Sequence, residues 1–286
     1  MPGGRVQRGW ALAKLSYHVL AAHRSLLLFP VLAAGLSIVT AAVFFGPAVV
    51  IYDSDGQEPI LVLFGILTLY ALSVITLFFN TALAAAASDV LAGRDADVWT
   101  GVDAARDRLG PIAQWALVST TVGLVIAAVE SLVHDNILGR LLVGLADFAW
   151  AVATFFVVPV IALEGVGPRA AFKRSVALLR QRWGEGVVGS ASISGVILLV
   201  ALPVLVVFGG GGYALLDSAR SLAVLMLVVA GLVLITAMVG GSTLQAVFRV
   251  ALYEYATTGE TPREFESADL AHAFQPKSGS AGRRHS

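Results

Sequence analysis

Apolar residues fall into six long runs along this chain, at 26–52, 60–87, 112–133, 142–163, 187–208 and 222–248, with polar connections between them. Each run reaches the ~20 residues a helix needs to cross a ~30 Å hydrocarbon core. Shorter segments with a different pattern precede the odd-numbered runs. In the first, Trp10, Ala13, Tyr17 and Leu20 recur at helical spacing and make one apolar face. In the second, Trp99, Val102, Ala105 and Leu109 do the same, beside Arg106, Asp107 and Arg108. The third carries the stripe Phe172, Val176, Leu179 and Trp183, and Arg169, Lys173, Arg174, Arg180 and Arg182 fill the rest of its surface. These segments are too short and too charged to span a bilayer. An apolar face with a basic flank and aromatic ends suits a helix lying in the headgroup plane. The pattern predicts an all-α, polytopic membrane helix bundle with six transmembrane helices and three amphipathic interfacial helices.

The unit of amphipathic helix, outward span, short loop and inward span recurs three times, which gives three two-span units. The inward runs end alike, in Phe78-Phe79-Asn80, Phe155-Phe156-Val157 and Val247-Phe248-Arg249. Such an arrangement suggests a pseudo-threefold or sequential bundle, unlike the inverted repeats of many secondary transporters. Residues 1–258 form the six-span domain, and 259–286 form a polar tail expected to be disordered towards its end.

Charge orients the bundle. Of the 19 Lys and Arg, 17 lie in the N-terminal segment, the second and fourth connections, or the C-terminal end. The other connections hold only Arg140 and Arg220, whereas the first external loop carries Asp53, Asp55 and Glu58. This positive-inside alternation puts both termini in the cytoplasm of a multi-pass protein of the cell membrane. A hydrophobic fraction of 57% against 13% charged residues excludes an ordinary soluble domain. The first run is too long for the roughly 7–15-residue apolar region of a signal peptide, so it is kept as a span. Sixteen Arg against three Lys, with abundant Ala, Gly and Val, suggest a GC-rich prokaryotic genome.

Candidate chemistry is sparse. The absence of cysteine excludes disulfides, thiolate nucleophiles and Cys-based metal sites. The five histidines are scattered without metal-ligand spacing, so no cofactor or metal is called. No hydrolase or metalloprotease motif and no basic–aromatic soluble domain is present, which argues against an enzyme and against nucleic acid as a partner. Ionisable residues inside a membrane are functional candidates by default. Glu130, late in the third run, and Asp147, about five residues or ~8 Å into the fourth, both sit towards the external side, with Arg140 between them as a pairing partner. Asn80, Glu164, Arg249 and Glu254 fall near cytoplasmic ends. Near the estimated midplanes stand only hydroxyls such as Ser73, Thr76, Thr120, Thr121, Thr154 and Thr236, and this lack of midplane charge counts against an ion-coupled carrier.

Other features read as packing. Gly186, Ser190 and Ser194 are spaced for a close helix–helix contact, as is the small-residue run 82–87. The glycine run 209–212 lacks the Gly-Lys-Ser/Thr ending of a phosphate loop and reads as a flexible exit from the fifth span. Pro47, Pro159 and Pro203 stand in or near span ends, where proline kinks a helix.

Three stretches resemble a known family: Trp10 with Leu26-Leu27-Leu28-Phe29-Pro30, then Phe155-Phe156-Val157-Val158-Pro159 through Glu164-Gly165 to Ala171-Phe172-Lys173-Arg174-Ser175 and Trp183-Gly184, and finally Tyr255-Ala256-Thr257-Thr258-Gly259 to Pro276-Lys277. The chain resembles, over nearly its whole length, a family of prokaryotic six-span integral membrane proteins catalogued as a domain of unknown function. The resemblance implies the six-helix fold and assigns no catalytic or binding residue. The segment carrying Pro159, Glu164, Phe172, Arg174 and Trp183 combines a kink, an interfacial acid and a cationic helix, and is the candidate functional segment. Its plainer reading is a turn that anchors the chain. The leading expectation is a non-enzymatic membrane protein that binds or organises lipid, anionic lipid in particular, or partner proteins, a second copy of the chain among them. The alternative is a permease or channel for a small solute.

Overall fold

The computed structural model describes residues 22–51, 58–95, 97–181, 198, 201–216 and 218–258. The first amphipathic segment, Asp53 and Asp55, Arg182 and Trp183, the Gly186/Ser190/Ser194 contact and the tail lie outside the described residues.

Among the described residues all regular structure is helical. A 3-10 turn at Arg24–Leu27 leads into α1 (Leu28–Ile51), an apolar helix without a single charged residue. Then follow α2 (Glu58–Leu91), α3 (Val98–Arg106), α4 (Leu109–Val133), α5 (Ile137–Ala153), α6 (Val157–Glu164) and α7 (Pro168–Gln181). An apolar helix α8 (Ala201–Ala214), containing a π-helical turn at Leu205–Gly210, precedes the long α9 (Arg220–Thr258). Among the described residues five segments are long and apolar enough to cross a membrane: Arg24–Phe44, Pro59–Leu91, Leu109–Val133, Ile137–Glu164 and Arg220–Thr258. That is the build of a multi-pass membrane protein. The described part of the fifth apolar run is α8, which is shorter than a span.

Each expected hairpin pairs with itself: α1 packs on α2, α4 on α5, and α8 on α9. The three units are not equivalent, however. Helix α2 is the hub, in contact with α1, α3, α4, α6 and α9. Small side chains allow this, because Ala82, Ala84, Ala86 and Ala87 are all buried. Gly101 of α3 comes so close that a Cβ there would lie 2.6 Å from the Ala82 carbonyl oxygen and 2.9 Å from the Phe29 ring.

Burial is concentrated at one end of the bundle. The core holds Leu26 and Phe29 from the start of α1, the last turns of α2, Val102 and Ala105 of α3, and Ile112 and Trp115 at the start of α4. It continues through α6, the inner face of α7 and 247–253 of α9. This is the packed end. At the opposite, open end the apolar side chains stand outward, among them Ile38, Leu132, Ile137, Leu141 and Met238.

Two expectations are corrected. The glycine run 209–212 is helical and forms no flexible exit. Its glycines admit α9: a Cβ on Gly211 would lie 2.8 Å from the Met226 methyl, and one on Gly212 would lie 3.1 Å from the Ala223 carbonyl. The fourth segment starts at Ile137, where Asn136 caps it by accepting from the backbone N–H of Leu138 (3.0 Å) and Gly139 (3.4 Å). Asp147 therefore stands ten residues, about 15 Å, from the helix start, deeper than a boundary at 142 implies.

Candidate functional site

The fourth membrane segment is discontinuous. Helix α5 stops at Ala153, residues 154–156 form a turn, and α6 resumes at Val157. Pro159 explains where the chain breaks. A proline inside a continuous helix would lack an N–H and press its ring on the carbonyl four residues earlier, whereas in the first turn of a new helix its missing N–H costs nothing. Pro159 is the third residue of α6 and is buried. The kink expected at Pro159 is thus an interruption just before it, carried by tighter turns in which the Phe155 N–H donates to the Val152 carbonyl (3.2 Å) and the Val157 N–H to the Thr154 carbonyl (3.0 Å).

A break in a membrane helix strands backbone polar groups that must find partners. Ser175 of α7 supplies them. Its buried hydroxyl donates to the Ala153 carbonyl (2.7 Å) and accepts from the Phe156 N–H (3.1 Å), so one side chain joins both sides of the interruption. Thr154 adds a local bond, its hydroxyl donating to the Trp150 carbonyl at 2.8 Å.

After α6 the chain reverses through Gly165, whose φ of +66° suits glycine and whose N–H closes the helix on the Ile161 carbonyl at 3.1 Å. Pro168 then opens α7 at the position where its fixed φ is favourable. Glu164, the last residue of α6, ties three helices together. One carboxylate oxygen accepts from Arg174 Nε of α7 (2.9 Å) and from the Tyr253 hydroxyl of α9 (2.7 Å). The hydrogen bond and the negative charge of Glu164 raise the Arg174 guanidinium above its ordinary value. Phe172 belongs to a ring stack: Trp115 of α4 lies 5.8 Å from Trp150 of α5, and Trp150 lies 5.9 Å from Phe172.

Helix α7 turns its apolar side into the protein, against α4, α5, α6 and α9. Its most enclosed residues are Ala171, Ser175, Leu178 and Leu179, while Phe172 and Val176 are half-buried. The buried face therefore lies beside the expected stripe of large residues. Arg169, Lys173 and Arg180 remain exposed, and Arg174 is held by Glu164. Helix α3 behaves similarly: Val102 and Ala105 are buried and Trp99 is 65% exposed.

At the open end, Glu130, Arg140 and Asp147 line one cleft of about 890 Å³ between α4 and α5, with Gly123, Gly144 and Trp150. The sequence brings these three charged residues to one place, as expected. Among the described residues, however, the ion pairs are Arg94–Asp89, Arg106–Asp103, His134–Asp135 and Arg174–Glu164, so Arg140 pairs with neither acid.

Sequence reasoning missed Ser175 and Tyr253 as structural partners. It also missed Ser88, whose hydroxyl donates to Glu254 at 2.6 Å and links α2 to α9. Each is a small or aromatic hydroxyl flanked by apolar residues on one side of its helix, and that is the available signal: such a group has to find a partner once the helix is packed.

No curated protein matches the chain. A family model does, over residues 57–263, from the start of α2 to beyond the end of α9. The chain belongs to that family, a family of unknown function designated DUF6159.

Proposed function

We propose that this is a non-enzymatic, six-span protein of a prokaryotic cytoplasmic membrane. In this reading both termini are cytoplasmic and the packed end faces inward to bind anionic lipid. The span that completes the six is the fifth apolar run, 187–208, which overlaps α8. The observation that carries the reading is the build of α7, whose apolar side is occupied by protein while Arg169, Lys173 and Arg180 point away from the bundle. Basic side chains at headgroup level attract anionic lipid with about 1 kcal/mol each. The flank of α3 adds to the same face, which also suits an acidic partner protein or a second copy of the chain. The test is reconstitution into vesicles of mixed phosphatidylglycerol and phosphatidylcholine, followed by analysis of the lipid retained around the protein. Changing Arg169, Lys173, Arg180 and Arg182 to Gln is expected to reduce phosphatidylglycerol enrichment, and unchanged enrichment removes the reading. Arg174 is spared because it holds Glu164.

A second reading, a permease or channel for a small solute, is favoured by the cleft at the open end. Asp147 stands about 15 Å into its segment, close to half a ~30 Å core, beside a helix break of the kind that forms substrate sites in transporters. It predicts solute flux in proteoliposomes that changes on Asp147→Asn. Flux equal to that of empty vesicles across a solute panel counts against it.

A further inference from the structure

The three inward segments converge on a small cavity. Asn80, Pro159 and Ser242 each stand 22 residues beyond the first residue of their segments, Glu58, Ile137 and Arg220. At 1.5 Å per residue that is about 33 Å along the bundle, just past a ~30 Å core. All three line one cavity of about 180 Å³, together with Gln245 and Arg249. Two of the repeated ends, those of the fourth and sixth segments, touch beside it. Phe155 and Phe156 pack edge to face at 4.9 Å, and the Arg249 guanidinium carbon lies 5.2 Å from the centre of the Phe155 ring.

No anion among the described residues pairs with Arg249. Its Nε is buried without a hydrogen-bond partner. The aromatic contact offsets part of the desolvation of a guanidinium, but a cation–π contact is weaker than the cost of burying the charge unpaired. A group that fills the cavity and brings negative charge would satisfy Arg249, and the amide of Asn80 adds a second donor to the lining. The cavity is smaller than the roughly 300–1,000 Å³ of sites for drug-sized ligands, which restricts the occupant to one compact group. The guanidinium fork matches phosphate oxygens, and headgroup phosphates lie at this level of a bilayer.

From these observations we infer that the cavity between α2, α6 and α9 binds a single phosphate group through Arg249 and Asn80. The phosphate comes either from a lipid headgroup or from free inorganic phosphate. The site is separate from the exposed basic face of α7, so the two stand or fall independently.

The test uses the full chain in a neutral detergent, titrated with dioctanoyl phosphatidylglycerol or with inorganic phosphate, and read by native mass spectrometry and thermal shift. One equivalent of the lipid is expected to bind to the wild-type chain and to the variant in which Arg169, Lys173 and Arg180 are Gln. Arg249→Gln is expected to weaken binding at least about tenfold, the loss that follows from removing one good charged contact. Asn80→Leu, which fills the cavity and keeps the cation, is expected to weaken it as well, so the test survives if Arg249→Gln fails to fold. Binding of the lipid alone assigns the phosphate to a headgroup, and binding of inorganic phosphate assigns it to a soluble anion. Failure of both probes, or affinity unchanged in both variants, overturns the site. Loss of binding in the basic-face variant alone overturns it too, and leaves the α7 reading standing.

Discussion

The fourth membrane segment shows the two ends of this molecule side by side. In α6, Phe156, Val157, Val160 and Ile161 are at most 2% exposed, enclosed by α2, α7 and α9. In α5, Ile137, Leu141 and Leu145 are at least 62% exposed. The residues are equally apolar, and only what surrounds them differs. Lipid is as apolar as leucine, so in a bilayer the exposed half loses nothing by facing outward, and packing is the main term left to hold helices together. The packed end therefore carries the cohesion of the bundle. The open end holds a charged cleft between α4 and α5, and the helix interruption at 154–156 separates the two regimes.

The sharpest way to break that contrast is a matched pair of truncations. Phe156→Ala empties space in a fully enclosed part of the core and is expected to destabilise the protein by about 3–5 kcal/mol. Phe148→Ala, at a residue 57% exposed on α5, is expected to stay within about 0.5 kcal/mol. Thermal unfolding of both variants in the same detergent, followed by far-UV circular dichroism, measures the difference. Equal losses would mean that the open end is as tightly built as the packed one.

Next comes the seam between the regimes. Ser175→Ala removes both bonds across the helix break and strands the Ala153 carbonyl and the Phe156 N–H. A buried unsatisfied group costs about 1–3 kcal/mol, and here two are created. Thr121→Ala is the control, because that exposed hydroxyl bonds only the Leu117 carbonyl of its own helix. Hydrogen exchange at 153–157 is expected to accelerate in the first variant and not in the second.

Element type and pairing were legible in the sequence because length and hydropathy dictate them. Runs of 20 or more apolar residues become helices, and short polar loops make hairpins of neighbours. What sets the core was not legible. Hydropathy cannot tell a side chain that faces protein from one that faces lipid, so 60–87 and 222–248 looked alike although only α2 is the hub. The same blindness displaced the face of α7. Large residues drew the stripe through Phe172, Val176 and Leu179, whereas close approach selects the small Ala171 and Ser175, with Leu178 below them. Glycines 209–212 were read as an exit because glycine is a poor helix former in isolation. Here the missing Cβ admits α9. Glu130, Arg140 and Asp147 were gathered correctly, since residues flanking one short loop must be neighbours. Tyr253 and Arg249 were beyond reach as partners of Glu164 and Phe155, because those contacts join residues 89 and 94 positions apart in the sequence.

Glycines give a test in which the two ends differ in sign. A methyl group on Gly101 would strike the Ala82 carbonyl at 2.6 Å, and a backbone atom cannot swing aside. Gly101→Ala is expected to cost about 1–3 kcal/mol, as overpacking does. Gly123 of α4, which lines the open cleft, has nothing within 4 Å of a Cβ. Gly123→Ala is expected to raise stability by up to about 1 kcal/mol through helix propensity alone. Midpoint temperatures moving in opposite directions in the same detergent support the two-ended picture, and parallel losses contradict it.

The smallest expected effect on stability is the one that bears most on function. Asp147 is exposed in its cleft and joined to no cation, so Asp147→Asn is expected to change stability by less than about 0.5 kcal/mol. A charge that contributes so little to folding, placed about 15 Å along its helix, has no structural reason to be charged. Flux and lipid retention therefore have to be measured on this same variant. Altered flux at unaltered stability would give the open end a transport role and make the packed end its rigid base. Unaltered flux with lipid retention intact would leave the cleft as a solvated mouth, and the work of the protein would lie at the packed end, which holds Arg249 and the basic side of α7.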